Sequence, residues 1–200
     1  NVIYLIGDGM GISQVTLARA LLVGAEGSVA LDRFPVTGLV KTHSANYIVT
    51  DSAAAGTALA CGVKTTNQTI GMVPGGDAVT SLLDVARAAG RSVGVVTTTT
   101  VTHATPACFY AHVDSRSKET QIADQLAARG DLEVVLGGGA KNFSDAALEK
   151  LVQKGYAVVR TRAELMASAP RRLLGLFTPS HMSFDRERDP AVEPSLADMT

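Results

Sequence analysis

Short apolar runs alternate with helix-patterned stretches along most of the 200-residue chain, and this alternation limits the possible folds more than any other feature. Residues 2–6 read as a strand followed by a helix over 12–23. Residues 38–41 read as a strand ahead of an alanine-rich helix over 53–60, and a helix over 82–89 leads into a strand over 92–96. The rhythm continues with a helix over 118–129, a strand over 132–136, a helix over 145–154, a strand over 157–159, a helix over 162–167 and a strand over 172–177. Runs such as VIYLIG and RSVGVVT are nearly continuous in apolar residues, which suits parallel strands covered on both sides. The expected fold is therefore α/β: a mostly parallel sheet with helices on both faces.

Ligands in such sheets gather at the carboxyl ends of strands, and three polar clusters fall there: residues 7–11, 50–52 and 97–105. A formal net charge of −1 with scattered Lys and Arg gives no basic field for nucleic acid, so a small-molecule site is expected. No apolar stretch approaches the roughly 20 residues of a membrane-spanning helix. Cys61 and Cys108 lack ligand-like spacing and read as two buried thiols, with a single disulfide as the alternative. Residues 178–200, with Asp185, Arg186, Glu187, Arg188, Asp189, Pro190 and Pro194, read as an irregular polar loop. ADMT follows a helix start at Pro194 and Ser195 with no capping glycine or closing element. Residues 1–200 are thus expected to be the N-terminal part of a single domain.

Three stretches carry chemistry. In IVTDSAAAGTALACG, the pair Asp51-Ser52 stands at the entrance of a helix built of small residues. Either residue is a natural N-cap; the same first-turn N–H groups and the helix dipole also favour an anion, so a serine there is placed to meet a phosphate. In IGDGMGIS, Gly7, Gly9 and Gly11 give G-x-G-x-G, not the G-x-G-x-x-G of dinucleotide folds, and VKTHSA stands where an acidic residue would end the second strand. Asp8 is read as a metal ligand ahead of a turn former, because the glycines let backbone and ions approach closely. TTTTVTHATPACFYAHVDSR brings His103, Thr105, His112 and Arg116 after a strand. Arg116 suits bidentate phosphate binding, while an ion pair with Asp114 or Glu119 is its bland alternative.

Together these stretches resemble the alkaline phosphatase family: G-D-G-M-G after an N-terminal strand, D-S-A-A-A-G-T-A, C-G-V-K-T, T-H-A-T-P-A and A-H-V-D-S-R, with the likeness running over essentially all 200 residues. The resemblance implies an alkaline-phosphatase-like three-layer sandwich and hydrolysis of phosphate monoesters with two zinc ions and one magnesium ion per complete chain. Residue by residue, it implies that Asp8 bridges one zinc and the magnesium, that Ser52 is the zinc-coordinated nucleophile that becomes phosphorylated, and that Thr105 joins the magnesium shell. Arg116 would clamp two phosphate oxygens and Asp51 would hold Arg116. His103 occupies a position beside the magnesium where family members vary, and His112 stands behind it. Periplasmic or extracellular location and a homodimer are further implications of the family.

The physical logic is consistent with those roles. A serine hydroxyl is a weak nucleophile at neutral pH and needs a base or a metal. Phosphoryl transfer is chiefly positioning and charge stabilisation, which a helix N-terminus, an arginine fork and metals supply. The family's remaining ligands, a Glu, an Asp followed four residues on by His, an Asp-His pair and a further His, have no counterpart after Arg116, where His181 is the only histidine and reads as structural. One zinc site is therefore expected to be absent from these 200 residues and the other two incomplete, so that the isolated chain would be inactive. Rival readings are a metal-dependent phosphodiesterase, sulfatase or phosphomutase, an inactive phosphate- or metal-binding fragment, and last a dinucleotide-binding domain.

Overall fold

Four of the apolar runs pair into one sheet, because each can bury both of its faces only between neighbouring strands and covering helices. In a computed structural model that describes residues 1–200, the strands are β1 (Gly94–Thr100), β2 (Val134–Gly138), β3 (Tyr156–Val159) and β4 (Arg172–Leu176). They lie in the order β1-β2-β4-β3, and every pairing is parallel. The helices are α1 (Ile12–Val23), α2 (Ser52–Cys61), α3 (Leu82–Ala88), α4 (Ala104–Ala107), α5 (Glu119–Arg129), α6 (Asp145–Gln153), α7 (Arg162–Ala167) and α8 (Leu196–Met199). The α/β class and the mostly parallel sheet expected from the sequence are what the structure has.

Successive strand residues point to opposite faces, and two apolar clusters result. Val135, Leu174 and Leu176 pack on one face with Ile122 and Leu126 of α5 and Leu151 of α6. Leu136 and Leu173 pack on the other with Leu165 of α7, Met182 and Met199. Ile122, Leu126 and Leu151 are fully buried, each worth about 1.5–3 kcal/mol of transfer free energy. Helices α3, α6, α7 and α8 start at side-chain caps: Ser81, Thr161 and Ser195 form capping boxes with Asp84, Glu164 and Asp198, and Ser144 caps α6 through Ala147.

The chain divides into two units, Asn1–Lys41 and Thr42–Thr200. In the first, Gly9 (φ +64) turns the chain between Gly7 and Gly11, and α1 follows with no buried residue. Arg19 Nε donates to Asp32 Oδ2 at 3.2 Å, tying α1 to the 3-10 turn Ala30–Arg33. Two strands expected from the sequence do not form: residues 2–6 and 38–41 are not paired into any sheet. Val2, Ile3 and Leu39 are largely exposed. β-Propensity states a preference that only a hydrogen-bonded ladder completes, and neither segment has one.

Two further expectations are adjusted in the second unit. Residues 178–200 are irregular to Ser195 but not simply solvated: Met182 and Glu193 are buried, the Glu193 carboxylate accepts from Ser183 N (3.0 Å) and Oγ (2.7 Å), and the segment closes in α8. Met182 and Met199 account for this, since both cover the sheet. The cysteines are free thiols, Cys108 buried and Cys61 half-buried. Burial pushes the thiols up, to about 12 for Cys108 and about 11 for Cys61.

α2 and α4 meet at Gly56, where a Cβ would lie 2.9 Å from Cys108 Sγ and 3.6 Å from Thr105 Cα. Cys108 Sγ donates to Ala53 O at 3.3 Å, so the sulfur is not at liberty to retreat. An exposed helical Gly→Ala change gains about 1 kcal/mol. Gly56→Ala is expected to do the reverse and lose about 1–3 kcal/mol by overpacking, read as a lower urea midpoint with an unchanged slope.

Candidate active site

Asp51 precedes the first turn of α2 in an extended conformation (φ −97, ψ 173), and the alanines behind it make the helix. Its Oδ1 accepts from Ala54 N at 3.0 Å, the N-cap bond. Its Oδ2 accepts from Arg116 Nη1 at 3.2 Å, Gln68 N at 3.1 Å and Gln68 Nε2 at 3.3 Å. Capping and holding the arginine are therefore not rivals, because the two oxygens divide the work. Ser52 is the first residue of α2, at the positive end of the helix dipole.

Arg116 is held at both ends. Its backbone N donates to Gln68 O at 2.8 Å, just beyond the antiparallel bridge of Ile70 and Val113. Its Nη2 lies 2.9 Å from His103 Nε2; a guanidinium has no acceptor, so the imidazole nitrogen accepts and a neutral ring carries its proton on Nδ1. The bland alternatives for Arg116 are taken up elsewhere. Asp114 pairs with Lys118 at 2.6 Å, and Glu119 turns to Thr100 and Thr102. The side chains of Arg116 and Asp51 are only 21% and 17% exposed, so the pair is shielded well beyond the usual surface salt bridge.

His103 immediately precedes α4 and Thr105 lies within it, on the flank that packs against α2 at Gly56. Arg116, Asp51, Ser52, His103 and Thr105 thus come from the α2 entrance, the α4 entrance and the segment after Val113. Of the other residues singled out in the sequence, His112 is turned away to Gly71 O, 2.7 Å from its Nδ1. Asp8 belongs to the first unit, on the turn before α1.

Three residues beside this group, Glu119, Asn142 and His181, were not site candidates in the sequence, where His181 reads as structural and Glu119 only as an alternative partner of Arg116. Glu119, the first residue of α5, accepts through Oε2 from Thr100 Oγ1 (2.6 Å), Thr102 Oγ1 (2.5 Å) and Asn142 Nδ2 (2.6 Å). This fixes the turn between β1 and His103. His181 Nδ1 accepts from Thr100 N at 3.1 Å, and its ring stands edge-on to His103 with centroids 5.2 Å apart. Burial works against the charge of Glu119, but the threonine hydroxyls outweigh it and hold the carboxyl below the usual glutamate value.

No group of three or more His, Cys, Asp or Glu side chains is placed to hold a metal ion. The donor types that are present, hydroxyl oxygens of Ser52 and Thr105 and the imidazole of His103, are of the kinds magnesium and zinc accept. No helix is long and apolar enough to cross a membrane.

Because the Glu119 value is depressed in the folded state, its contribution is complete above the ordinary glutamate range and is lost as pH falls through the folded value. Glu119→Gln sets an amide against three donors and should cost about 1–3 kcal/mol at neutral pH. Urea unfolding of both proteins at about pH 7 and about pH 4 should show the gap narrowing at the lower pH.

The family model for alkaline phosphatase matches residues 1–200. Alkaline phosphatase 4 of Bacillus subtilis (strain 168) is 40% identical over 214 residues, covering 100% of this chain and 46% of the relative. The crystal structure of Thermus thermophilus alkaline phosphatase superposes with a TM-score of 0.86 at 39% identity, over 96% of this chain and 43% of that one. A magnesium-bound variant of TAB5 alkaline phosphatase superposes with a TM-score of 0.78 at 32% identity, over 88% of this chain and 52% of that one. The chain spans about half the length of the curated relatives it matches.

Proposed function

Because the chain belongs to the alkaline phosphatase family, we propose that the protein containing it hydrolyses phosphate monoesters through a phosphoserine intermediate, with Ser52 as nucleophile and Arg116 as phosphate clamp. The observation that carries this reading is the shielded Arg116–Asp51 pair at the helix end where Ser52 stands.

Ser52 Oγ gives up its proton to solvent and attacks phosphorus, the ester oxygen leaves with the electron pair of the broken P–O bond and takes a proton from solvent, and Ser52 carries the phosphoryl group. Water then attacks the same phosphorus and returns the serine hydroxyl, so two displacements give net retention. Throughout, the Arg116 fork and the first-turn N–H groups of α2 neutralise the phosphoryl oxygens, where preorganised donors count most. Asp51 keeps the guanidinium aimed, and His103 holds its other end. Asp8, Ser52 and Thr105 are proposed as this chain's ligands to zinc and magnesium, Asp8 on its residue type and glycine turn alone; His103 would join them only by giving up its bond to Arg116, since Nε2 accepts there and Nδ1 carries the ring proton. Such ions would lower the pKa of the serine hydroxyl and offset phosphate charge. The family's setting belongs to the same proposal: two zinc ions and one magnesium per complete chain, a homodimer, and action in the periplasm or outside the cell.

On the protein that carries this chain, with zinc and magnesium supplied, Ser52→Ala should leave no trappable phosphoserine and lower p-nitrophenyl phosphate turnover by about a thousandfold or more. An undiminished burst would overturn the assignment. Arg116→Ala should raise the inhibition constant of inorganic phosphate by about ten- to a hundredfold, the worth of charge-assisted hydrogen bonds. Rates on a monoester, a diester and a sulfate ester, compared side by side, should rank the monoester first.

A further inference from the structure

Gln68 is the one residue other than glycine with a left-handed backbone, at φ +75. It is the third residue of a tight turn in which Thr69 N donates to Thr66 O at 3.2 Å. A turn with positive φ at that position calls for Gly, or else Asn. A glutamine there carries local strain, and strain of this kind persists only where its surroundings enforce it. Here the enforcing contacts are three hydrogen bonds. Gln68 N and Nε2 both donate to Asp51 Oδ2, at 3.1 and 3.3 Å, and Gln68 O accepts from Arg116 N at 2.8 Å. One residue therefore contacts both halves of the Asp51–Arg116 pair, with its two backbone polar groups pointing to different partners.

The rest of the turn is bound into the same place. Asn67 Oδ1 accepts from Asp51 N at 3.1 Å, and Asn67 Nδ2 donates to Val49 O at 3.1 Å. Thr57, buried on α2, donates to Thr69 O at 3.3 Å and accepts from Gly71 N at 3.0 Å. The turn is thus fastened to the α2 entrance from the front and to the body of α2 from behind. The left-handed conformation is what aims the Gln68 N–H at the carboxylate while its carbonyl continues the pairing with the segment that carries Arg116.

We propose that Gln68 is a positioning residue for the Asp51–Arg116 clamp: its side-chain amide, aimed by the left-handed backbone, fixes Asp51 Oδ2 and, through it, the plane of the Arg116 guanidinium. The inference deepens the phosphatase reading and rests on it only for the ligand.

The decisive variant is Gln68→Gly, which suits the turn, keeps both backbone bonds available and removes only the amide and the strain. A change at Arg116 in this variant cannot then be blamed on loss of fold, and Gln68→Asn, also tolerated at positive φ but with too short a side chain, repeats the measurement. On the protein that carries this chain, the Arg116 guanidinium is followed by 15N NMR of arginine-labelled protein, and inorganic phosphate binding by calorimetry. The expected result is a thermal midpoint no lower than that of the parent, faster exchange or broadening at Arg116, and phosphate affinity weaker by on the order of five- to tenfold. In turnover, the loss should appear in KM more than in kcat. Gln68→Glu, which places a second carboxylate against Asp51, should weaken phosphate further. An Arg116 signal unchanged in both Gln68→Gly and Gln68→Asn overturns the inference, whatever the affinity does. A signal loosened by these variants in a protein that binds no phosphate at all would retire the phosphatase reading and leave the positioning role standing.

Discussion

The Asp51 carboxylate is the acceptor on which three separate segments converge. Ala54 N of α2, both nitrogens of Gln68 and the Arg116 guanidinium share its two oxygens. A carboxylate this shielded is unfavourable without partners, since desolvating an ion costs several kcal/mol unless its lone pairs are filled. The dependence runs in both directions. The helix start, the turn over 66–69 and the segment leading to Arg116 each supply a donor that the charge requires, and each is in turn located by it. This is why one short-range ion pair organises residues 65 positions apart in the chain.

The sheet supplies the other anchor. At the carboxyl end of β1 the backbone leaves the sheet through Thr100, Val101 and Thr102, and Val101 N still donates to Gly138 O at 3.0 Å at the end of β2. Glu119 then binds the two threonine hydroxyls and Asn142 at once, so the exit from β1, the start of α5 and the turn after β2 are tied to one carboxylate oxygen. From that fixed turn His103 reaches Arg116, with His181 standing against its ring. The Arg116 guanidinium therefore hangs between two carboxylates, Asp51 on the helix side and, through His103 and the turn it stands on, Glu119 on the sheet side. This is the ordinary place for a ligand site in a parallel α/β sheet, reached here by an explicit series of hydrogen bonds.

Much of this was legible in the sequence. The four strands and α5 follow apolar runs, and α6 and α7 add caps whose signals are local; all appear within a few residues of where the pattern puts them. Residues 2–6 and 38–41 carry the same kind of signal yet form no strand, because a strand is completed by a ladder and its sequence states only a preference. Asp51, Ser52 and Arg116 stood out through their motifs. Glu119, Asn142 and His181 did not, because their partners lie 17 to 81 residues away and nothing local distinguishes a carboxylate that will receive two threonines from one on a solvated helix start. Gln68 was hidden for a different reason. A glycine at that turn would have announced the positive φ, whereas glutamine reads as one more polar loop residue.

The way Arg116 is held bears on what it can do for a phosphate. A free arginine loses about 2 kcal/mol of rotamer entropy when it is fixed on a ligand. Here the ordering is already done in the folded protein: Nη1 is on Asp51, Nη2 is against His103, and the backbone N is on Gln68. These contacts engage two of the five guanidinium N–H donors, and the remaining donors are what a phosphate would take in the plane the protein has set. A donor set that needs no rearrangement as charge develops on phosphoryl oxygens stabilises the transition state more than one that must be gathered each time. Lysine in the same place could satisfy Asp51 as a point charge, but it could not hold Asp51, His103 and a phosphate in one plane, so the geometry explains why the position calls for an arginine.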